Sequence, residues 1–325
     1  MKADDVSCIG VFGTGMMGPG IAFLFAMYGY RTKLWGPTSE EIQSGQAHFN
    51  ECFEEMKREK LIDSRQASGS PPGGSPPGGI LENLEPETSF EKAAEQADFV
   101  VEAVVEDLEA KQGVFARLEE SCRPHAVLAS TTSTLFPSQI AAKMINKSRM
   151  LVAHFWNPAY LVPLVEVCPH DETEREAVEV TMDLLKKVER EPVLLKSEVL
   201  GFIGNRLMHA MNREAISLIQ KGIAEPADID RVVTSSFGPR FAHLGPMEYL
   251  DFVGLDLIKK IQGYLYHDLD KDGGIAPIIE EKNRLGELGV KAGQGFFNWS
   301  GRDPAELRER RDRELFRRMR ERNAE

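Results

Sequence analysis

The chain alternates short apolar runs with longer stretches whose apolar residues recur at helical spacing. Val6 to Phe12 is almost unbroken, which suits a strand covered on both faces. Ile21 to Met27 is apolar all round and reads as a buried helix. Tyr30 to Trp35 gives a second strand, and Ser39 to Gln66 a charged helix with Phe49, Cys52, Phe53 and Met56 on one stripe. Strands follow at Ala97–Val105 and Ala126–Ser130, then in the run Met150–Ala153 that ends at His154, and at Leu164–Val167. Helical stretches open at Glu106–Lys111 and near Pro137. Strands alternating with helices predict an α/β fold with a doubly wound, mostly parallel sheet.

From Glu198 the strand signal stops. Helical periodicity runs from Gly201 through Ile219, and new helices start near Pro226 and Pro246; only Gly295–Trp299 reads as a short strand. Two domains are expected, residues 1–197 and an all-helical part at 198–325. Ser70-Pro71-Pro72-Gly73-Gly74 repeats at once as Ser75 to Gly79, a composition that excludes helix and central strand, so 68–79 is expected to be a mobile loop. Asp303 to Glu325 interleaves arginine with Glu306, Glu309, Asp312, Glu314 and Glu321, as a solvated helix laced with ion pairs does. Leu307, Leu315, Phe316 and Met319 are the residues of that helix able to pack on a partner subunit.

The first strand runs straight into Gly13-Thr14-Gly15-Met16-Met17-Gly18 and then into the apolar helix. Strand, G-x-G-x-x-G, helix is the order of a Rossmann-type dinucleotide site. Gly13 permits the tight turn, Gly15 lets backbone amides approach a diphosphate, and Gly18 lets helix and strand pack closely. The helix N-terminus favours the phosphate charge. One part of the fingerprint is missing, because the second strand ends in Gly36-Pro37-Thr38-Ser39 where an acid should hold the adenosine ribose. Thr38, Ser39 or backbone groups would hold it instead, or the space admits a 2′-phosphate. No arginine follows to pair with that phosphate, so NAD is expected, with NADP left open by Gly36.

At the end of the fifth strand lies His154-Phe155-Trp156-Asn157-Pro158, with Glu166 in the next strand. A histidine can take a proton from a substrate hydroxyl, and a carboxylate on its other ring nitrogen fixes the tautomer and stabilises the imidazolium. A reversal near Asn157-Pro158 would bring the two together across a sheet edge. Gly13, Glu106, Ser133 and His154 all follow strand ends, where ligands of such sheets bind, so one pocket is expected to receive all four.

The 325 residues carry a net charge of −12, which argues against a nucleic-acid partner. Four cysteines form no C-x-x-C pair, and seven histidines show no ligand spacing. A reducing cytoplasm and no metal are the expectations. No run of 18 apolar residues and no secretory segment occurs, so no membrane is expected either.

On those residues the chain resembles the L-3-hydroxyacyl-CoA dehydrogenase family. The resemblance rests on the glycine turn, Val101–Glu106, Ser130–Thr134, His154–Pro158, Leu164–Val167, Gly201–Arg206 and Gly245–Glu248. It implies His154 as base, Glu166 as its carboxylate partner, and Ser133 and Asn205 as substrate contacts near the reacting carbon. It implies cofactor contacts at Gly13, Thr14, Gly15, Met16, Met17, Gly18, Ala103, Glu106, Lys111, Ser133 and Asn157. A homodimer through the helical domain and an acyl-CoA substrate, oxidised or reduced at its 3-carbon, complete what it implies. Two departures concern the substrate. Thr131 stands where the family has asparagine, and the basic insert usual after the second strand gives way to the Pro/Gly repeat, although Lys57, Arg58 and Lys60 remain to meet phosphates. Ala159-Tyr160-Leu161-Val162-Pro163-Leu164 is closer to relatives acting on free hydroxy acids or alcohols, such as carnitine, gulonate and a pyridoxine-breakdown intermediate.

Overall fold

The structure is a computed structural model that describes residues 1–62 and 79–322. The Pro/Gly repeat, apart from Gly79, lies outside the described residues. Two compact units form, Met1–Gly204 with Arg310–Glu325, and Asn205–Glu309.

The first unit is built on one eight-stranded sheet. Its strands are β1 (Cys8–Phe12), β2 (Arg31–Trp35), β3 (Leu84–Glu87), β4 (Phe99–Glu102), β5 (Val127–Ser130), β6 (Met150–Phe155), β7 (Leu164–Pro169) and β8 (Glu191–Leu194). They lie in the order β3-β2-β1-β4-β5-β6-β7-β8, all neighbours parallel except the antiparallel β6–β7 pair. The helices are α1 (Gly18–Met27), α2 (Ser39–Arg58), α3 (Phe90–Ala94), α4 (Leu108–Ser121), α5 (Pro137–Ile140) and α6 (Arg175–Lys187).

Alternation along the strands sorts the core into two layers. Ile9, Val11, Val101, Ala129 and Leu151 pack with α1, α2 and α6, whereas Phe12, Val100, Leu128 and Met150 pack with α3, α4 and α5. The doubly wound sheet is therefore present as expected. Strand β4 is shorter than the apolar run suggests: the Ala103 N–H makes the last rung to β1, donating to Phe12 O at 2.8 Å, and the Val104 N–H donates to the Glu102 carboxylate instead. Strands β3 and β8 escaped the sequence reading because Leu-Glu-Pro-Glu and Glu-Pro-Val-Leu carry little apolar signal. They are the two edges, where a sheet readily tolerates prolines such as Pro86 and Pro192.

In the second unit α7 (Gly204–Gln220) leads into α8 (Pro226–Ser235), α9 (Pro246–Val253), α10 (Leu255–Asp268) and α11 (Pro277–Arg284). The short strand expected at Gly295–Trp299 does not form. Only isolated bridges occur, Gly289↔Gln294 and Gln294↔Asn298, because left-handed Gly289 and Gly293 fold the segment into turns with no sheet to join. The last helix, α12 (Pro304–Arg322), keeps the expected ion pairs, with Arg318 Nε 3.0 Å from Glu314. Its Phe316 and Met319 are buried in the first unit's core and Arg320 pairs with Glu59 at 2.8 Å, so these apolar residues serve their own chain, not a partner. No helix among the described residues is long and apolar enough to cross a membrane.

Candidate active site

Most side chains of the site stand at or just beyond strand ends of the first unit, whereas His154 and Glu166 are paired within β6 and β7. After β1, Gly13 adopts φ +129°, and a Cβ there would meet the Ala103 carbonyl oxygen at 2.3 Å. A Cβ on Gly18 would stand 1.8 Å from the Gly13 oxygen, so the start of α1 abuts the turn. Gly15 differs: nothing lies within 4 Å of its Cβ position, and it lines a cleft of about 500 Å3. This is the space in which a dinucleotide's diphosphate can come close to backbone amides. The residues present thus fit the dinucleotide.

The far side of the turn explains part of the missing ribose acid. The Thr14 methyl packs over Gly36 and Gly45, where added Cβ atoms would meet it at 2.8 and 3.0 Å. A larger residue at 36 would have to displace it. The Thr38 hydroxyl accepts the Glu41 N–H at 3.2 Å and so caps α2.

Under the cleft lies a buried pair. Lys111 Nζ, on α4, is 2.7 Å from Glu102 Oε1 at the end of β4, and both side chains are almost wholly buried. Glu102 also accepts the Val104 N–H at 2.7 Å and the Ser130 hydroxyl at 2.6 Å. On its other side Lys111 is 3.3 Å from Glu106 Oε2. Glu106 Oε1 accepts the Thr132 and Thr134 hydroxyls and the Ser133 N–H. Burial resists ionisation of Glu106, yet these donors and the Lys111 ammonium hold its carboxyl below the usual carboxylate range. Glu106 and the Thr131–Thr134 turn are therefore fixed from beneath.

Strands β6 and β7 place His154 directly opposite Glu166. His154 Nδ1 is 2.9 Å from Glu166 Oε2, and Glu166 Oε1 accepts the Ile203 and Gly204 N–H groups at 2.8 and 2.9 Å. Burial works against the Glu166 charge, but the His154 ring and these two amides outweigh it and hold the carboxyl below its ordinary range. The pair is not at a sheet edge as expected, since β8 lies beyond β7. With Nδ1 on the carboxylate, Nε2 is the nitrogen left for a substrate.

The cleft is lined by Gly15, Met16, Met17, Ala103, Glu106, Ser133, His154 and Asn157, with Trp156 among its other walls. It brings together the expected residues of four strand ends. Gly13, Thr14 and Gly18 shape the turn behind it, and Lys111 lies below it. Asn205 is the first residue of the second unit. Sequence reasoning did not single out Glu102, Trp156 or Phe202. A charge inside the apolar run Phe99–Val101 was the available signal for Glu102.

Residues 8–198 match the family model of the 3-hydroxyacyl-CoA dehydrogenase NAD binding domain, and residues 201–299 match that of the 3-hydroxyacyl-CoA dehydrogenase C-terminal domain. The chain is 31% identical over 296 residues to the probable 3-hydroxybutyryl-CoA dehydrogenase of Bacillus subtilis, covering 91% of this chain and 98% of that protein. It is 28% identical over 307 residues to 5-formyl-3-hydroxy-2-methylpyridine 4-carboxylate 5-dehydrogenase of Mesorhizobium japonicum, covering 94% and 95%. A solved structure of an NAD+-dependent enzyme named for that pyridine substrate superposes with a TM-score of 0.87 at 27% identity, covering 97% of this chain and 98% of that one. The (S)-3-hydroxybutyryl-CoA dehydrogenase of Ralstonia eutropha superposes at 0.72 and 26%, covering 91% and 99%. Both halves of the chain match one family in order, and a histidine–carboxylate pair faces its nucleotide cleft: the chain belongs to the 3-hydroxyacyl-CoA dehydrogenase family of NAD-dependent oxidoreductases.

Proposed function

We propose that the chain moves a hydride between NAD and the 3-hydroxyl or 3-keto carbon of a 3-hydroxyacyl-CoA. The observation that carries the chemistry is His154, braced by Glu166 at 2.9 Å and lining the cleft beside the glycine turn. In oxidation, His154 Nε2 takes the hydroxyl proton while Glu166 stabilises the imidazolium. NAD, when bound, accepts the hydride that leaves the same carbon. In reduction, the imidazolium returns its proton to the nascent alkoxide. Ser133 and Asn205 hold the substrate oxygen, which is positioning more than charge creation. The Gly13–Gly18 turn, Ala103, Glu106 and Asn157 hold the dinucleotide. Lys111 serves it through Glu106, because its ammonium is fully buried between two carboxylates. NAD is favoured over NADP by Glu40 and Glu41, whose charges in the first turn of α2 oppose a 2′-phosphate.

A second reading keeps the chemistry and drops coenzyme A. It is supported by the higher TM-score with the pyridine-carboxylate enzyme, 0.87 against 0.72. NADH absorbance during reduction of acetoacetyl-CoA and of free 3-keto acids, repeated with NADPH, separates the readings. The coenzyme A reading expects kcat/KM for the thioester to exceed that for free acetoacetate by about 100-fold, since remote binding energy speeds the reacting carbon. The reverse order assigns a free acid, and faster turnover with NADPH overturns the cofactor assignment.

Assembly as a homodimer belongs to the same proposal. Within Asn205–Glu309 the apolar side chains are all at least partly open to solvent, with Phe252 80% and Tyr264 83% exposed. A helical unit of this size gains little from burial alone, and large exposed apolar patches mark interfaces. A second copy is the occupant proposed. Sedimentation equilibrium should give twice the chain mass, and Phe252→Asp should shift the equilibrium toward monomer. A monomeric wild-type protein at micromolar concentration would refute the assembly.

A further inference from the structure

Gly201-Phe202-Ile203-Gly204 carries a backbone feature that hydride transfer, as described, leaves unused. Gly201 has φ +75° and Phe202 φ +49°. The left-handed region suits glycine, whereas a bulky side chain disfavours it, so the surroundings must enforce it at Phe202. The next two N–H groups, of Ile203 and Gly204, converge on Glu166 Oε1 at 2.8 and 2.9 Å. Successive amides following a left-handed residue make an anion-binding concavity. Here the anion is the carboxylate that meets His154 through its other oxygen. Glu166 is 1% exposed, so water does not replace donors it loses. The Phe202 ring is itself buried 5.3 Å from the imidazole centroid, and the Trp156 ring is 5.4 Å from it. Trp156 Nε1 adds a long contact to Glu166 Oε2 at 3.4 Å. At Gly204 a Cβ would stand 2.5 Å from the Trp156 ring, so the concavity closes against that wall.

We infer that Phe202 is a positioning residue for the reaction: its left-handed backbone turns the Ile203 and Gly204 amides onto Glu166 and so fixes the carboxylate's rotation toward His154 Nδ1. The inference rests on His154 and Glu166 being the reacting pair. Loss of the left-handed turn leaves Oε1 a buried acceptor without donors and lets the carboxylate rotate off the ring. The glycine turn that binds NAD is formed by other strand ends and does not feel the change.

Phe202→Gly and Phe202→Ala test this, measured beside His154→Ala with the best substrate of the panel above. Both variants lose the ring, but only glycine enters the left-handed region without penalty. The expected result is a kcat about 5- to 30-fold higher for the glycine variant, with the same KM for NAD in both. Where Phe202→Ala yields no folded protein, Phe202→Leu replaces it, since leucine fills much of the ring's volume and shares alanine's aversion to positive φ. Equal kcat in the two variants, with His154→Ala inactive, overturns the inference and leaves the proposed function standing. A fully active His154→Ala overturns the reading beneath it instead.

Discussion

Replacing His154 with alanine is expected to lower kcat by roughly 100- to 10,000-fold, the range that a positioned general acid–base contributes. The dissociation constant for NAD should stay within about twofold, because the Gly13–Gly18 turn and Glu106 follow β1 and β4, and of the proposed cofactor contacts only Asn157 follows β6. Steady-state kinetics in both directions, with calorimetric titration of NAD, separate the two effects. Loss of kcat and kcat/KM together, with unchanged cofactor affinity, marks an interaction made at the reacting atoms. The variant's Tm should also be recorded, since His154 is buried against the Phe202 and Trp156 rings. Wild-type turnover in a folded His154→Ala protein is the result that would end the assignment.

Glu102→Ala is expected to produce the largest loss of stability. It strands the Lys111 ammonium in the interior and removes the acceptor of the Ser130 hydroxyl and the Val104 N–H. Removing one partner of a buried ion pair costs roughly 3–5 kcal/mol. The lower end is expected here, because Glu106 Oε2, 3.3 Å away, can still meet the ammonium. That rescue draws Glu106 inward and loosens the Thr131–Thr134 turn, so NAD affinity should fall as well. The double variant Glu102→Leu with Lys111→Met should recover most of the stability, since apolar replacements of similar volume often match a buried pair, but not the cofactor affinity. Urea unfolding followed by circular dichroism measures the first effect as a shift in midpoint at constant slope. A shift worth less than about 1 kcal/mol in Glu102→Ala would show that the pair holds nothing up.

Most of the site was legible because its signals are local. The glycine turn declares itself through three glycines between an apolar strand and an apolar helix. The histidine and the glutamate declare themselves as polar residues within two adjoining apolar strands. What escaped was held at long range or by backbone. Glu102 lies within the run Val101–Glu106 and Lys111 is expected as a cofactor contact, yet only the packing of α4 on the sheet shows that they face each other. Phe202 reads as one apolar residue among many, and nothing in its neighbours announces a positive φ. Polar edge strands containing proline likewise give too little signal to separate from loop.

By itself the sequence determined the mostly parallel sheet, the glycine turn between the first strand and its helix, and a histidine and a glutamate on neighbouring strands. These follow from periodicity and from residue chemistry within a few positions of each other, which the chain states directly. The tertiary structure alone decided that Glu166 faces two backbone amides 37 and 38 residues away, and that Lys111 sits beneath Glu106 rather than in the cleft. It also decided that the last helix docks on the first unit through Phe316 and Met319. Such choices depend on which of many apolar and charged surfaces meet once the chain collapses. That is settled by the summed burial and hydrogen bonding of distant segments, not by any one of them.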